Sequence, residues 1–480
     1  MILAVSAALH FAIQVGLIVR VLLRAHRDPG SRIAWVIVIL SIPLVGIGAY
    51  LLFGETNIGR RHFERMRAVE REIRRDAKAR REGSRRPAAA IPDRWTPLFN
   101  AGKSVNGFDP VGGNRAELMA DSIQSIERMV EDIDRAKEHV HLLFYIWLAD
   151  NNGRKVAEAL KRAAARGIAC RAMVDNLGSR ELVRSPLWRE MAAAGVKTAR
   201  ALPVGNPVLR ALFGRIDLRN HRKIAVIDNS ITYCGSQNCA DPEFLPKAKY
   251  APWVDVLFRI EGPVARQNQI VFATDWMTFD GEDIRHVLEA PIEPSPGPGF
   301  PAEVVATGPT GRFSAMPQMF ESLIFAARDK LCITTPYYAP NQALQEALCA
   351  AASRGVDVAL ILPRRNDDFA IAGASRSYYL DLLQSGVKIH EYEKGLLHAK
   401  TITLDGEITF VGSANMDRRS FDLNYENNML ICDRDVTADL RSRQQEFLAA
   451  SKAIAKEEVR RWPWYRRLAN NTLAIVSPLL

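Results

Sequence analysis

His221-Arg222-Lys223-Ile224-Ala225-Val226-Ile227-Asp228-Asn229 and, further on, His398-Ala399-Lys400-Thr401-Ile402-Thr403-Leu404-Asp405-Gly406 carry one pattern twice: His-x-Lys, four residues, Asp. Each copy is followed by Gly-Ser-x-Asn, as Gly235-Ser236-Gln237-Asn238 and Gly412-Ser413-Ala414-Asn415, with the glycine fourteen positions after the histidine both times. With each residue type at a few per cent of a chain, one chance match to His-x-Lys-x4-Asp at this length has odds of roughly one in fifty. Two copies with the same downstream tetrapeptide are an internal duplication.

Both four-residue runs between Lys and Asp are rich in β-branched residues and end in a turn dipeptide, Asp228-Asn229 or Asp405-Gly406, before a second apolar run. That spacing predicts strand, tight turn, strand. On a strand, positions i and i+2 share a face, so each histidine and lysine project together. Two such halves brought face to face place two imidazoles, two ammonium groups and the amides of Asn238 and Asn415 around one point. This set suits displacement at a phosphodiester, with one imidazole as nucleophile, one as acid and base, and fixed donors on the phosphoryl oxygens. No metal and no cofactor is called for, since lysine and asparagine occupy the place of a cation. Asp228 and Asp405 belong to the motif, but at a turn they serve either as turn formers or as phosphate contacts.

The doubled motif resembles that of the phospholipase D superfamily over residues 115–450. The resemblance implies that His221, Lys223, Asp228, His398, Lys400 and Asp405 form the catalytic set, with one histidine carrying a phosphohistidine and the other protonating the leaving alcohol. His221 is taken as the nucleophile, although the halves are nearly symmetric. It also implies an acidic residue behind each histidine to fix its tautomer, and the matching positions are Asp255 and Glu426. Thr335-Pro336-Tyr337-Tyr338-Ala339-Pro340, Ala351–Val356, Arg376-Ser377-Tyr378-Tyr379 and Gly412–Phe421 are similar to bacterial cardiolipin synthases in particular. Gln237 departs from that pattern, where a more apolar residue is expected. The implied reaction joins two phosphatidylglycerols into cardiolipin and glycerol. A phospholipase D transferring to water and a basic phosphodiesterase or nuclease are the alternatives.

The repeat extends beyond the motif. Glu158–Ile168 lines up with Glu346–Val356, each an amphipathic helix ending at a glycine, and each preceded by an apolar strand, Val140–Trp147 or Leu331–Tyr338. The expected fold is therefore α/β, two phospholipase D-like lobes in pseudo-twofold arrangement behind two N-terminal transmembrane helices. The division reads as an anchor over 1–55, a basic stalk over 56–114, lobes over 115–290 and 302–450, a Pro/Gly-rich linker over 291–301, and an interfacial tail over 451–480.

Ile33–Phe53 is almost wholly apolar and about 30 Å long as a helix, which matches a bilayer core. Ile2–Val21 is similar but contains His10, Gln14 and Arg20; His10 and Gln14, four apart, share a face that can turn toward the second helix. A cleaved signal peptide would carry a basic first region and a small-x-small site, and neither is present. The arginine-dense run Arg60–Arg86 argues for lobes on the cytoplasmic side of a bacterial inner membrane, with a multi-pass anchor. Six cysteines without framework spacing agree with a reducing compartment.

The net charge of +10 suits anionic partners, and with two hydrophobic segments these are anionic phospholipids such as phosphatidylglycerol rather than nucleic acid. His139-Val140-His141 lies in a strand-like run without further ligand spacing and is read as structural. The first half holds fourteen more residues before its histidine than the second. They fall in Ala201–Asp217, an apolar insertion with Leu209, Leu212, Phe213 and three nearby arginines, expected to dip into the membrane interface.

Overall fold

The computed structural model describes residues 1–24, 29–54, 60–81, 89–203, 215, 217–289 and 299–476. They divide into two compact units, Met1–Glu64 with Val204–Leu218, and Arg65–Pro203 with Arg219–Leu480. The core of the insertion, with Leu209, Arg210, Leu212 and Phe213, and nearly all of the 291–301 linker lie outside the described residues.

In the first unit, Ile2–Leu23 is a single helix of 22 residues, about 33 Å long. It is the one helix among the described residues long and apolar enough to cross a bilayer. The expected second span is not one helix. Pro43 has no N–H for a helical hydrogen bond, Ile42 leaves helical dihedrals (φ −134°, ψ 73°), and the segment splits into Pro29–Ser41 and Pro43–Phe53. At 13 and 11 residues each piece is about 16–20 Å long, well short of a bilayer core. Gly46 lets the pieces close on each other, since a Cβ there would lie 2.3 Å from the Val38 carbonyl oxygen. Gln14 does face this partner, donating its amide to the Ile39 carbonyl at 2.9 Å. Val21, Ile39 and Tyr50 form the small core between the helices.

The second unit holds both repeats. Outward from their junction, the first half runs Val111–Leu118, Leu257–Glu261, Ile231–Gly235, Lys223–Ile227, His139–Phe144, Ala169–Asp175 and Lys197–Ala201. The second runs Phe300–Thr307, Asn424–Cys432, Ile408–Gly412, Thr401–Leu404, Lys330–Thr334, Asp357–Pro363 and Lys388–Tyr392. In each, four antiparallel pairings are followed by two parallel ones, and the innermost strands pair antiparallel, Val111 opposite Ala302. The duplicated sequence folds as a duplicated lobe, and the order of strands is its signature.

The expected hairpins follow each motif. Asp228 and Asn229 both have positive φ (49° and 55°), as do Asp405 and Gly406 (48° and 70°), which is the two-residue turn that right-twisted strands favour. The helices Asn151–Ala165 and Gln342–Ser353 are capped by the side chains of Asp150 and Asn341 and end before Gly167 and Gly355, whose φ of 85° and 98° only glycine adopts freely.

The two lobes have separate outer cores and share an inner one. Each lobe has an outer core under its helices, around Leu142, Trp147 and Leu160 in the first and Leu331, Leu348 and Phe410 in the second. A further cluster joins the inner faces of the two halves of the sheet, with Ile224, Val226 and Phe258 from one half and Val411, Met429 and Ile431 from the other. Parts of the expected stalk also belong here. Val69 and Ile73, on the helix Arg60–Arg81, enter the shared core. Trp95, Leu98 and Phe99, around the helix Thr96–Asn106, enter the second lobe's outer core, and the Trp95 indole donates to Glu407 at 2.7 Å. A charged run with this many large apolar side chains is docked by them. The second lobe likewise continues past residue 450, through an edge strand at Ser451–Ala453 and the buried Trp462.

Candidate active site

Each motif histidine stands just before a motif strand, where the chain crosses to the other lobe. Arg219-Asn220 pairs with Asn424-Tyr425, and Leu396-Leu397 pairs with Trp253-Val254. The backbone N–H of His221 then donates to the Tyr425 carbonyl at 2.9 Å, and that of His398 to the Val254 carbonyl at 2.8 Å. One residue further along each receiving strand comes an acid. The pairing is therefore crosswise: His221 Nδ1 lies 2.9 and 3.1 Å from the Glu426 carboxylate oxygens, and His398 Nδ1 lies 2.7 Å from Asp255 Oδ1. An ionised carboxylate only accepts, so each Nδ1 carries the proton and each Nε2 is left with its lone pair.

The acids are themselves held. Ser236 Oγ donates to Asp255 at 2.6 Å, and Ser413 Oγ donates to Glu426. These are the serines of the two Gly-Ser-x-Asn copies, and sequence reading had not given them a task. Burial raises the Asp255 carboxyl, but His398 and Lys400 beside it outweigh this and bring it down to about 2. Glu426 is lowered for the same reasons, with His221, Lys223 and Ser413 overcoming its burial. Burial, together with the neighbouring lysines, holds both imidazoles down to about 4.

Lys223 and Lys400 each donate to the carbonyl of their own histidine, at 2.7 and 2.6 Å. Burial lowers Lys223 to about 8 and Lys400 to about 7. Both imidazoles line a cavity of about 470 Å³ together with Asn238 and Asn415. Asn238 accepts from the Ile146 N–H through its oxygen, which leaves its NH2 group for the cavity. Tyr145 packs edge-on to His221 at 4.8 Å, and Trp253 lies 4.7 Å from His398. The cavity is large enough for a phosphodiester headgroup, and hydrogen-bond donors line it on several sides.

Asp228 and Asp405 do not reach this cavity. Each stands at the far end of its motif strand, and its carboxylate accepts three consecutive backbone N–H groups: Lys137, Glu138 and His139 for Asp228, and Arg328, Asp329 and Lys330 for Asp405. They pin the motif hairpin to the start of the neighbouring strand. His141 is held at both ring nitrogens, by Gln269 at 3.0 Å and Arg171 at 3.1 Å, so it offers no free ligand atom.

Arg222 and Asp275 were not foreseen. Arg222 fills the x position of the first motif, pairs with Asp275 at 2.6 Å, and donates to the carbonyls of Glu426 and Thr307 in the other lobe. Asp275 also accepts from Asn220, next to His221, at 2.8 Å. The second motif has Ala399 at that position, and the clamp is one-sided. A basic x residue beside a catalytic histidine was its only trace in the sequence.

Comparison with known proteins identifies the family. A family model described as "Cardiolipin synthase, PLD-like domain" matches residues 129–276 and 320–448, and one described as "Phospholipase_D-nuclease N-terminal" matches residues 12–55. Curated proteins named cardiolipin synthase A, from Yersinia pseudotuberculosis serotype IB (strain PB1/+) and from Yersinia pestis, are 37% identical over 471 residues, covering 97% of this chain and 96% of theirs. A crystal structure of phosphatidylserine synthase from Haemophilus influenzae Rd KW20 covers 80% of this chain and 100% of its own at a TM-score of 0.59, with 14% identity, a likeness of fold alone. With its apolar N-terminal helix the protein is membrane-associated. The chain belongs to the cardiolipin synthase family of phospholipase D-like proteins.

Proposed function

We propose that this phosphatidyltransferase makes cardiolipin from two phosphatidylglycerols, through a phosphatidyl-histidine on His221. The observation that supports it is the pair of Nε2 lone pairs facing one cavity, each imidazole backed by a carboxylate from the opposite lobe. Nε2 of His221 attacks phosphorus, the bond to the glycerol headgroup oxygen breaks, and His398 gives that oxygen its proton. The terminal hydroxyl of the second lipid then attacks phosphorus, His398 takes its proton, and the P–N bond breaks. Atoms balance as two phosphatidylglycerols to cardiolipin and glycerol.

Burial holds the pKa of both imidazoles down to about 4, so before substrate arrives they are neutral at pH 7. The arriving phosphodiester anion favours the charged form, so binding substrate loads the acid. Lys223, Lys400, Asn238 and Asn415 hold the phosphoryl oxygens, and Asp255 and Glu426 orient the imidazoles. Transfer prevails over hydrolysis to the extent that the second lipid excludes water. The finer placement follows the same reading: lobes on the cytoplasmic face, since the arginine-rich Arg60–Arg81 helix follows the anchor in sequence.

The test incubates the purified protein with phosphatidylglycerol vesicles and follows lipids and glycerol by mass spectrometry. Cardiolipin and glycerol in equal amounts are expected, and phosphatidic acid alone refutes transfer. In H398N, a phosphatidyl ester whose leaving group needs no proton, such as p-nitrophenol, should leave a phosphatidyl adduct on the peptide containing His221 after a denaturing quench at alkaline pH, where the P–N bond survives. An adduct found on His398 in H221N and never on His221 reverses the two roles.

A further inference from the structure

The helix Trp464–Val476 presents its more apolar face to solvent. At about 100° per residue, Trp464, Leu468 and Ile475 fall within about 40° of one another, with Tyr465 beside them. They are 70%, 58%, 79% and 63% exposed in that order. The opposite face carries Asn470, Leu473 and Ala474 and packs along the helix Phe369–Ser377, where the Leu473 side chain fills the space beside Gly373. Asn470 is buried while tryptophan, leucine and isoleucine are in water, the inverse of what packing on this protein alone would select.

Two further observations name what covers the face. The first is charge. Arg460, Arg461, Arg466 and Arg467 surround it, all exposed, and no acidic residue occurs from Val459 to Val476. Arg466 lies 3.9 Å over the buried Trp462 ring, so its guanidinium is fixed at the helix foot. The second is position. Phe369, the first residue of the partner helix, is 80% exposed, and Ile371 two residues later lines the cavity of His221 and His398. Ile371 shares a small cluster with Ala339, Ala374, Tyr337 and Ala474. The helix that carries the apolar face is thus tied, through Ala474 on its packed side and Ile371, to the wall of the cavity.

We propose that Trp464, Leu468 and Ile475, with Phe369, form a docking face for an anionic phospholipid bilayer, and that it sets the cavity mouth at the headgroup layer. Aromatic and aliphatic side chains flanked by arginines suit an interfacial helix with its apolar face about 5–10 Å into the headgroup and acyl boundary. Arginines next to it contribute where lipids are anionic, and this is the substrate's own charge. Lipid drawn from the layer reaches the histidines without leaving it. The choice of lipid rests on the phosphatidyltransferase reading; the contact itself does not, and it is read without turnover.

The full-length protein, with Cys349 removed as C349S, is labelled with bimane through L468C and reconstituted into vesicles of phosphatidylcholine with or without phosphatidylglycerol. Vesicle binding should blue-shift the bimane and nitroxide-bearing lipids should quench it, both more strongly with phosphatidylglycerol, and R466Q/R467Q should remove that difference. No quenching in either vesicle overturns the proposal. A blue shift in detergent that grows with protein concentration would assign the face to a second copy, and overturns it equally. As a separate reading, W464S/L468S/I475S should keep the melting temperature and the turnover of monomeric short-chain phosphatidylglycerol, while turnover on vesicles falls about tenfold. An equal loss on both substrates refutes the docking role.

Discussion

Replacing Asp255 by asparagine removes one charge from the site and little else. The side chain keeps its size, and its neighbour Ser236 can still hydrogen-bond to it. What is lost is an ionised partner at 2.7 Å from His398 Nδ1, since the carboxyl is held at about 2 and is charged at any working pH. A hydrogen bond to a charged group contributes roughly 1.5–3 kcal/mol. The imidazolium formed during proton transfer also loses a counter-charge, worth up to about 4 kcal/mol for charge centres roughly 4 Å apart at an effective dielectric near 20. The two overlap, and about 4 kcal/mol together corresponds to a loss of roughly 10³-fold in turnover. Ser236→Ala leaves the charge in place and removes one neutral donor at 2.6 Å, so it should cost about tenfold or less. The assay is the initial rate of glycerol release from phosphatidylglycerol vesicles, with a thermal melt to confirm that both variants fold. A D255N enzyme within threefold of the parent, or an S236A enzyme slower than D255N, would refute the reasoning that the opposite lobe's carboxylate orients His398.

Asp228→Ala should act on stability rather than chemistry: it strands three backbone N–H groups and puts a β-carbon residue without local hydrogen bonding at φ 49°, a cost of about 3 kcal/mol, while turnover of the folded fraction stays within about threefold. Urea unfolding beside a rate assay checks this, and an unchanged midpoint with lost activity would contradict it. Lys400→Met should raise the melting temperature and lower turnover by about 10² or more, because the buried ammonium is held near 7 against 10.5 unfolded. A folded pKa below the unfolded one means stability present above pH 10.5 and lost as pH falls through 7, so the gain from methionine should be largest at or below pH 7 and vanish toward pH 10.5. Melts across that range decide it, and a gain that grows with pH would reverse the sign of the argument.

The elements that sequence made legible are those with local periodicity. The motif hairpins, the capped helices ending at Gly167 and Gly355, and the α/β repeat all followed from short-range pattern. The crosswise pairing did not. Arg219-Asn220 and Leu396-Leu397 are two-residue strands, too short to show a period, and which carboxylate serves which histidine is decided by partners more than 140 positions away. Pro43 marks the break in the second apolar segment, but hydropathy alone does not register a missing N–H. The stalk was judged by its charge, yet Trp95, Leu98 and Phe99 outweigh the arginines around them once a surface exists to receive them. The serines behind the acids were present in both motif copies, but nothing about a serine in sequence says that its hydroxyl faces a carboxylate from the same lobe.

The crosswise pairing also bears on the order in which the chain is made. Ribosomes release His221 first, and the carboxylate that orients it follows 205 positions later. His398 comes with its own acid already made, 143 positions earlier, but needs His221 opposite it. Until residue 426 has emerged and its strand has docked, the nascent protein holds no oriented pair of imidazoles. On the proposed mechanism a half-translated chain is therefore inert, and a truncated product stopping short of Glu426 would not act as an unguarded lipase. The duplication ties the appearance of reactivity to completion of the polypeptide.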